Sequence, residues 1–128
     1  MKQLWTFLGL GAALGVGAAA LVDEDAALVR GEQHAIATEL QISAIEQALE
    51  DFHAQHGRYP QTLDGLRPYF DSGAVPKDYW RRPFRYRMPG EHGPYDLWSY
   101  GRDGEPGGVG EDADIEAWSM ERRYLARY

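Results

Sequence analysis

Between Leu4 and Val22 the chain reads LWTFLGLGAALGVGAAALV, nineteen residues without a charge, and from Leu28 to His56 it runs without a proline and with one glycine, Gly31. An uncharged run of that length is about what a helix needs to cross the apolar core of a bilayer. In the second stretch Ile42, Ile45, Leu49 and Phe52 recur at i, i+3, i+7 and i+10, the period of an amphipathic helix, with Glu39, Glu46, Gln47, Glu50 and Asp51 on other faces. A long helix, apolar at first and then one-sided, is therefore the expected spine. Gly57 supplies its stop and Pro60 prevents its continuation. His53 and His56 are spaced so that they could share a metal, but the C-terminal helix dipole and solvent account for their placement.

Lys2 before the apolar run and Asp23-Glu24-Asp25 after it orient residues 1–22 with the remainder of the chain outside the cytoplasm. The same segment reads either as a single-pass anchor or as a cleavable export signal ending at Ala18-Ala19-Ala20, and both place the following domain in the periplasm or beyond. Gly11 and Gly15, flanked by Gly9 and Gly17, match the small-residue spacing that lets membrane helices approach closely, although such spacing also arises by chance in a Gly-rich run.

With 128 residues and no cysteine the chain holds one small domain that cannot be stapled by disulfides; a bound metal could serve instead. The net charge of −7 excludes nucleic acid as a partner, because phosphate backbones select basic surfaces. No Ser/His/Asp arrangement, cysteine nucleophile, phosphate-cradling loop or HExxH motif is present, so the expectation is not an enzyme. Thr62 reads as the cap of a short helix, TLDGLRPYF, with Leu63, Leu66 and Phe70 inward. Residues 83–88 and 95–100 alternate as two strands joined through the Pro89-Gly90 turn. Tyr79, Trp80, Phe84, Tyr86, Trp98 and Trp118 read as core and rim packing.

Beyond the second strand, DGEPGGVGEDADIEAW at 103–118 gathers Asp103, Glu105, Glu111, Asp112 and Asp114 among four glycines, with no histidine or cysteine. Hard oxygen donors on a tightly turning backbone are what Ca²⁺ requires, and close anions repel unless a cation neutralises them. A solvated Gly/Asp turn explains the same composition.

From about Ala44 to Trp118 the chain resembles the major pseudopilin of bacterial type II secretion systems. The landmarks are AIEQALEDFHAQHGRYP at 44–60, TLDGL at 62–66, VPKDYWRRPFRY at 75–86, PGEHG at 89–93, YDLWSYGRDGEPGG at 95–108 and DADIEAW at 112–118. The resemblance implies an α+β, pilin-like fold, with a long N-terminal helix on a small antiparallel sheet and a C-terminal calcium-binding loop. It implies Asp103 and Asp114 as side-chain ligands of Ca²⁺, Asp112 as a further candidate and Tyr100 as a carbonyl ligand.

The organisation it suggests is a transmembrane or signal segment at 1–22, an amphipathic spine at 23–60, a head at 61–118 and a basic tail at 119–128. The implied role is a structural subunit or accessory of a secretion pseudopilus, in the inner membrane with its head in the periplasm. Its partners would be pilin-like subunits and inner-membrane components of the secretion machinery, with Ala37 and Ala44 leaving room for close neighbours. The family's prepilin leader, a Gly-Phe junction followed by a hydrophobic run with glutamate at the fifth mature position, is not matched, so the usual processing is not expected. The alternative is a membrane-tethered or exported calcium-binding module that shares the head but does not polymerise. Arg81 and Arg82 replace a Gly-Asn-like turn of the family, which predicts a remodelled turn, and the tail MERRYLARY reads as a short basic amphipathic helix that docks on the domain, meets anionic lipid or is merely solvated.

Overall fold

The apolar stripe of the spine finds its sheet in the computed structural model, which describes the backbone of residues 2–120 and the side chains of residues 25–120. Helix α1 spans Lys2–His56. It ends as its sequence dictates: Gly57 takes φ 71° and donates its N–H to the His53 carbonyl at 2.8 Å, closing the last turn in the left-handed conformation that glycine tolerates. The chain divides into two compact units, residues 1–32 and 33–128. The side chains of the apolar segment 1–22 and the tail residues 121–128 lie outside the described residues, so the readings of anchor, export signal, leader and tail helix do too. Among the described residues no helix is long and apolar enough to cross a membrane.

In the second unit Ile42, Ile45 and Leu49 are fully buried, and Ala48 and Phe52 nearly so. They pack with Leu66, Phe84, Leu97 and Ile115 in one cluster. Leu66 arrives on the expected short helix, a 3₁₀ helix at Leu63–Tyr69; Pro68 inside it removes a backbone donor and keeps the turn short. Thr62 stands at its N-cap in extended conformation but makes no side-chain capping bond.

Strands β1 (Arg85–Arg87), β2 (Asp96–Ser99) and β3 (Ile115–Glu116) form an antiparallel sheet in the order β1-β2-β3. Arg85 pairs with Trp98 and Arg87 with Asp96, while Ser99 pairs with Ile115. In β1 the expected alternation holds, since Tyr86 turns inward between exposed Arg85 and Arg87. Strand β3 was not expected. The acidic loop therefore connects β2 to β3 rather than trailing beyond the last strand, and two paired residues are too few to show an alternating pattern in sequence.

On α1 Ala44 is exposed and Ala37 half-buried, and Ile36 and Leu40 are exposed as well, so the outer side is more apolar than alanine alone would make it. In the 78–82 turn Arg81 holds φ 64°, the left-handed region that a side chain with a Cβ disfavours by about 1–2 kcal/mol. Replacing it with glycine removes that penalty at the cost of extra unfolded-chain freedom. Arg81→Gly should thus stabilise the head by about 0.5–1 kcal/mol and Arg81→Val should destabilise it, as read by denaturant melts. Leu49→Ala should cost about 2–5 kcal/mol in the same assay, because truncating a fully buried leucine leaves a cavity in the seam.

Candidate functional site

The acidic loop is built outward from a buried polar joint at the open end of the sheet. Asp78 is buried; its carboxylate accepts Ser99 Oγ at 2.7 Å and the Arg82 N–H at 2.8 Å. Ser99 Oγ in turn accepts the Gly101 N–H at 3.1 Å. Thr38, fully buried on α1, accepts the Tyr79 N–H at 3.2 Å. Helix, 78–82 turn and β2 are thereby fixed where the loop begins.

Gly101 opens the loop with φ 78°, and a Cβ there would lie 2.6 Å from the Ala113 carbonyl oxygen and 2.7 Å from that of Glu111. Only glycine lets the two limbs of the loop come this close. They are joined by the Arg102 N–H, which donates to the Glu111 carbonyl at 2.8 Å.

Two arginines hold the loop from within. Arg82 Nη1 donates to the Gly101 carbonyl at 3.0 Å and also to that of Arg102. Arg102 grips Asp112 with two parallel bonds, Nε to Oδ1 at 3.0 Å and Nη2 to Oδ2 at 3.2 Å, and reaches Glu111 Oε2 at 3.3 Å. The neighbouring Asp112 carboxylate raises the Arg102 pKa first of all. On its other oxygen Glu111 meets His34 Nδ1 of α1 at 2.5 Å, and the His34 ring stacks on Tyr79 with centroids 3.9 Å apart. The loop is therefore tied to the helix at His34 and to the 78–82 turn at Arg82, neither of which its own sequence announces.

The four expected ligand positions fall in this loop. Asp103 Oδ1 accepts the Glu105 N–H at 3.1 Å, and the Asp114 carboxylate accepts the Gly107 N–H at 3.1 and 3.0 Å. Tyr100 is half-buried at the loop's start. Asp112 has both oxygens on Arg102. The donors are all oxygen, and no imidazole or thiolate lies within residues 100–114, which suits a hard cation. Among the described residues no three His, Cys, Asp or Glu side chains gather as a metal cluster. The carboxylates of the expected set that no arginine engages are Asp103 and Asp114.

At the opposite end of β2 stands a group that the alternation of the strand concealed. Asp96 has no exposed surface, yet its partners favour the charged carboxylate. Burial alone would push its pKa up, but the Arg87 guanidinium, the N–H groups of Glu91 at 2.9 Å and His92 at 3.0 Å, and the His92 ring together hold it well below the usual carboxylate range. Those bonds fold the 88–95 turn around one carboxylate. His92 then stacks on Trp118, centroids 4.1 Å apart, joining that turn to the residues after β3.

Comparison with known proteins places this arrangement. The family described as "Type II secretion system (T2SS), protein G" matches residues 28–118. The type II secretion system core protein G of Pseudomonas aeruginosa is 34% identical over 93 residues, covering 60% of this chain and 66% of that protein. Its counterpart in Vibrio cholerae is 34% identical over 95 residues, covering 62% and 65%. The matched part thus spans just under two thirds of the length of these relatives. The crystal structure of the major pseudopilin from the type 2 secretion system of enterohaemorrhagic Escherichia coli superposes with a TM-score of 0.58 at 25% identity, covering 71% of this chain and 91% of that one.

The Asp96 knot carries a pH dependence of known sign. Its pKa is lower folded than the ordinary 3.8, so the stability it contributes is complete above the unfolded value and is lost as pH falls below about 4 toward the folded one. Asp96→Asn should cost about 2 kcal/mol near pH 7, and the gap between wild type and variant should close steadily in melts taken from pH 4 downward. A gap that stays constant with pH would contradict the assignment.

Proposed function

The chain belongs to the protein G family of type II secretion systems, and from that premise we propose that it is a structural, non-enzymatic subunit of a secretion pseudopilus whose head is stabilised by Ca²⁺. The observation that carries the first part is the match over residues 28–118, which takes in the second half of α1, the sheet and the acidic loop as one collinear unit. The apolar segment at 4–22 anchors the subunit in the inner membrane with the head in the periplasm, in keeping with the charge asymmetry around it. Other pilin-like subunits are its partners, and α1 is the surface they share. The exposed Ile36 and Leu40, beside the small Ala37 and Ala44, offer a neighbouring helix an apolar face that α1 does not use for its own core.

In the loop, Asp103, Asp114 and the carbonyl of Tyr100 would hold the cation, with Asp112 engaged by Arg102 instead. Bound there, Ca²⁺ supplies two positive charges to a strongly acidic segment and fixes its turns. A site that exists only in the folded loop adds its binding energy to the fold, about 2.7 kcal/mol at a free concentration one hundred times Kd.

Two experiments separate these claims. Chelation should lower the melting temperature of the full chain in detergent, Asp103→Ala and Asp114→Ala should each abolish the response, and Asp112→Asn should leave it in place. Superimposable melts with calcium and with chelator would remove the metal from the account. For assembly, photocrosslinking from position 40 in membranes should capture a pilin-like partner, and Leu40→Glu should reduce the yield without moving the melt of the head. A chain that captures neither itself nor any pilin-like subunit, with calcium present, is a tethered module that does not polymerise.

A further inference from the structure

Residues 77–87 carry five cations, Lys77, Arg81, Arg82, Arg85 and Arg87, against one carboxylate, the buried Asp78, in a chain whose net charge is −7. The segment runs into β1, which stands at the edge of the sheet; among the described residues no strand pairs with Arg85–Arg87 on the side away from β2. Beside that edge lies a shallow groove of about 270 Å³, lined by Thr62, Leu63, Asp64, Phe84, Arg85 and Tyr86 among others. Its one carboxylate, Asp64, is 3.6 Å from Arg67.

Along β1 the side chains alternate, with Arg85 and Arg87 exposed on one face and Tyr86 half-buried on the other. Arg87 already meets Asp96 and, at 3.3 Å, Glu91. Arg85 lies over the Tyr100 ring, its guanidinium carbon 5.2 Å from the centroid, and among the described residues it has no carboxylate partner. A guanidinium stacked on a ring keeps its in-plane N–H groups for another acceptor.

Unpaired backbone groups at a sheet edge recruit an extended chain, whose alternate side chains then oppose those of the edge strand. We propose that the free edge of β1 is the docking site of an extended segment of another protein that reads acidic, apolar, acidic. Its carboxylates oppose Arg85 and Arg87, and its apolar residue lies on the Tyr86 side, where Leu63 lines the groove. Charge selects this occupant. Opposed arginines disfavour pairing of β1 with β1 of a second copy, whereas carboxylates are attracted by the whole 77–87 segment. The edge is separate from the Ile36 and Leu40 face of α1, so this proposal and the reading of α1 as an assembly surface fail independently.

The test is fluorescence anisotropy on the full chain in detergent, with a fluorescein-labelled peptide of alternating glutamate and valine as probe. The peptide should bind, and its counterpart with lysine in place of glutamate should not. Arg85→Glu should weaken binding about tenfold and the milder Arg85→Gln about threefold, while the head keeps its melt because Arg85 is exposed. The same peptide with every amide N-methylated keeps its charges but loses its backbone donors, and should bind about tenfold more weakly. No binding overturns the proposal, as does binding that ignores Arg85 or the N-methyl groups. So does dimerisation of the peptide-free chain that Arg85→Glu abolishes, which would give the edge to a second copy.

Discussion

A sheet whose strands contain three, four and two residues has no stability of its own, and everything beyond α1 depends on the seam where Ile42, Ile45 and Leu49 bury themselves against Leu66, Phe84, Leu97 and Ile115. Each strand supplies one or two inward residues, so the apolar surface they need comes from the helix. That dependence explains why the remaining interactions lie at the two ends of β2 rather than along it. The strands are too short to be fixed by ladder bonds alone. Side-chain clusters hold them instead: Asp78, Ser99 and Thr38 at one end, Asp96 with Arg87 at the other. Both clusters are centred on a buried carboxylate that accepts several hydrogen bonds, the arrangement in which a buried charge costs least.

The helix stripe, its stop at Gly57 and the two longer strands were legible because each carries a local periodicity or a residue with a conformational requirement. Ile42, Ile45, Leu49 and Phe52 are indeed the helix's share of the core. What stayed hidden has a common cause. Strand β3 has too few residues to show a period, and Asp96 sits where a surface residue would alternate, its burial decided by Arg87 and the 88–95 turn rather than by its own chemistry. His34 stands in no motif of the helix, and only the return of the chain 77 residues later gives it Glu111. Long-range polar pairing leaves no trace in spacing. Arg81 and Arg82 were visible as a departure, and the structure gives each a reason: Arg81 takes the left-handed turn, and Arg82 turns into the loop to collect its carbonyls.

The acidic loop was read as anions in need of a cation, and part of that need is met by the protein. Arg102 neutralises Asp112 and Glu111, and Arg82 binds the carbonyls at the loop's entry. The carboxylates left to Ca²⁺ on the proposed reading, Asp103 and Asp114, are those whose oxygens are satisfied only by loop N–H groups, bonds weaker than the bidentate grip of a guanidinium. The two kinds of charge therefore divide the loop. Its inner limb is held by arginine, and its tip is where a metal would act.

That division determines what ordering the tip would achieve. Residues 100–114 are the whole connection between β2 and β3, and β3 is a strand of two residues whose Ile115 belongs to the core. Loop-closure entropy is the main force acting against so short a strand, and fixing the tip reduces it directly. The same segment carries Glu111, which reaches His34 on the side of α1 that leads down toward the expected membrane segment. A cation at the tip would thus tighten β3 from one side and the helix contact from the other. Ile115 would be affected first, so a head deprived of the metal should loosen at β3 and at the loop–helix contact while Ile42, Ile45 and Leu49 keep Leu66, Phe84 and Leu97.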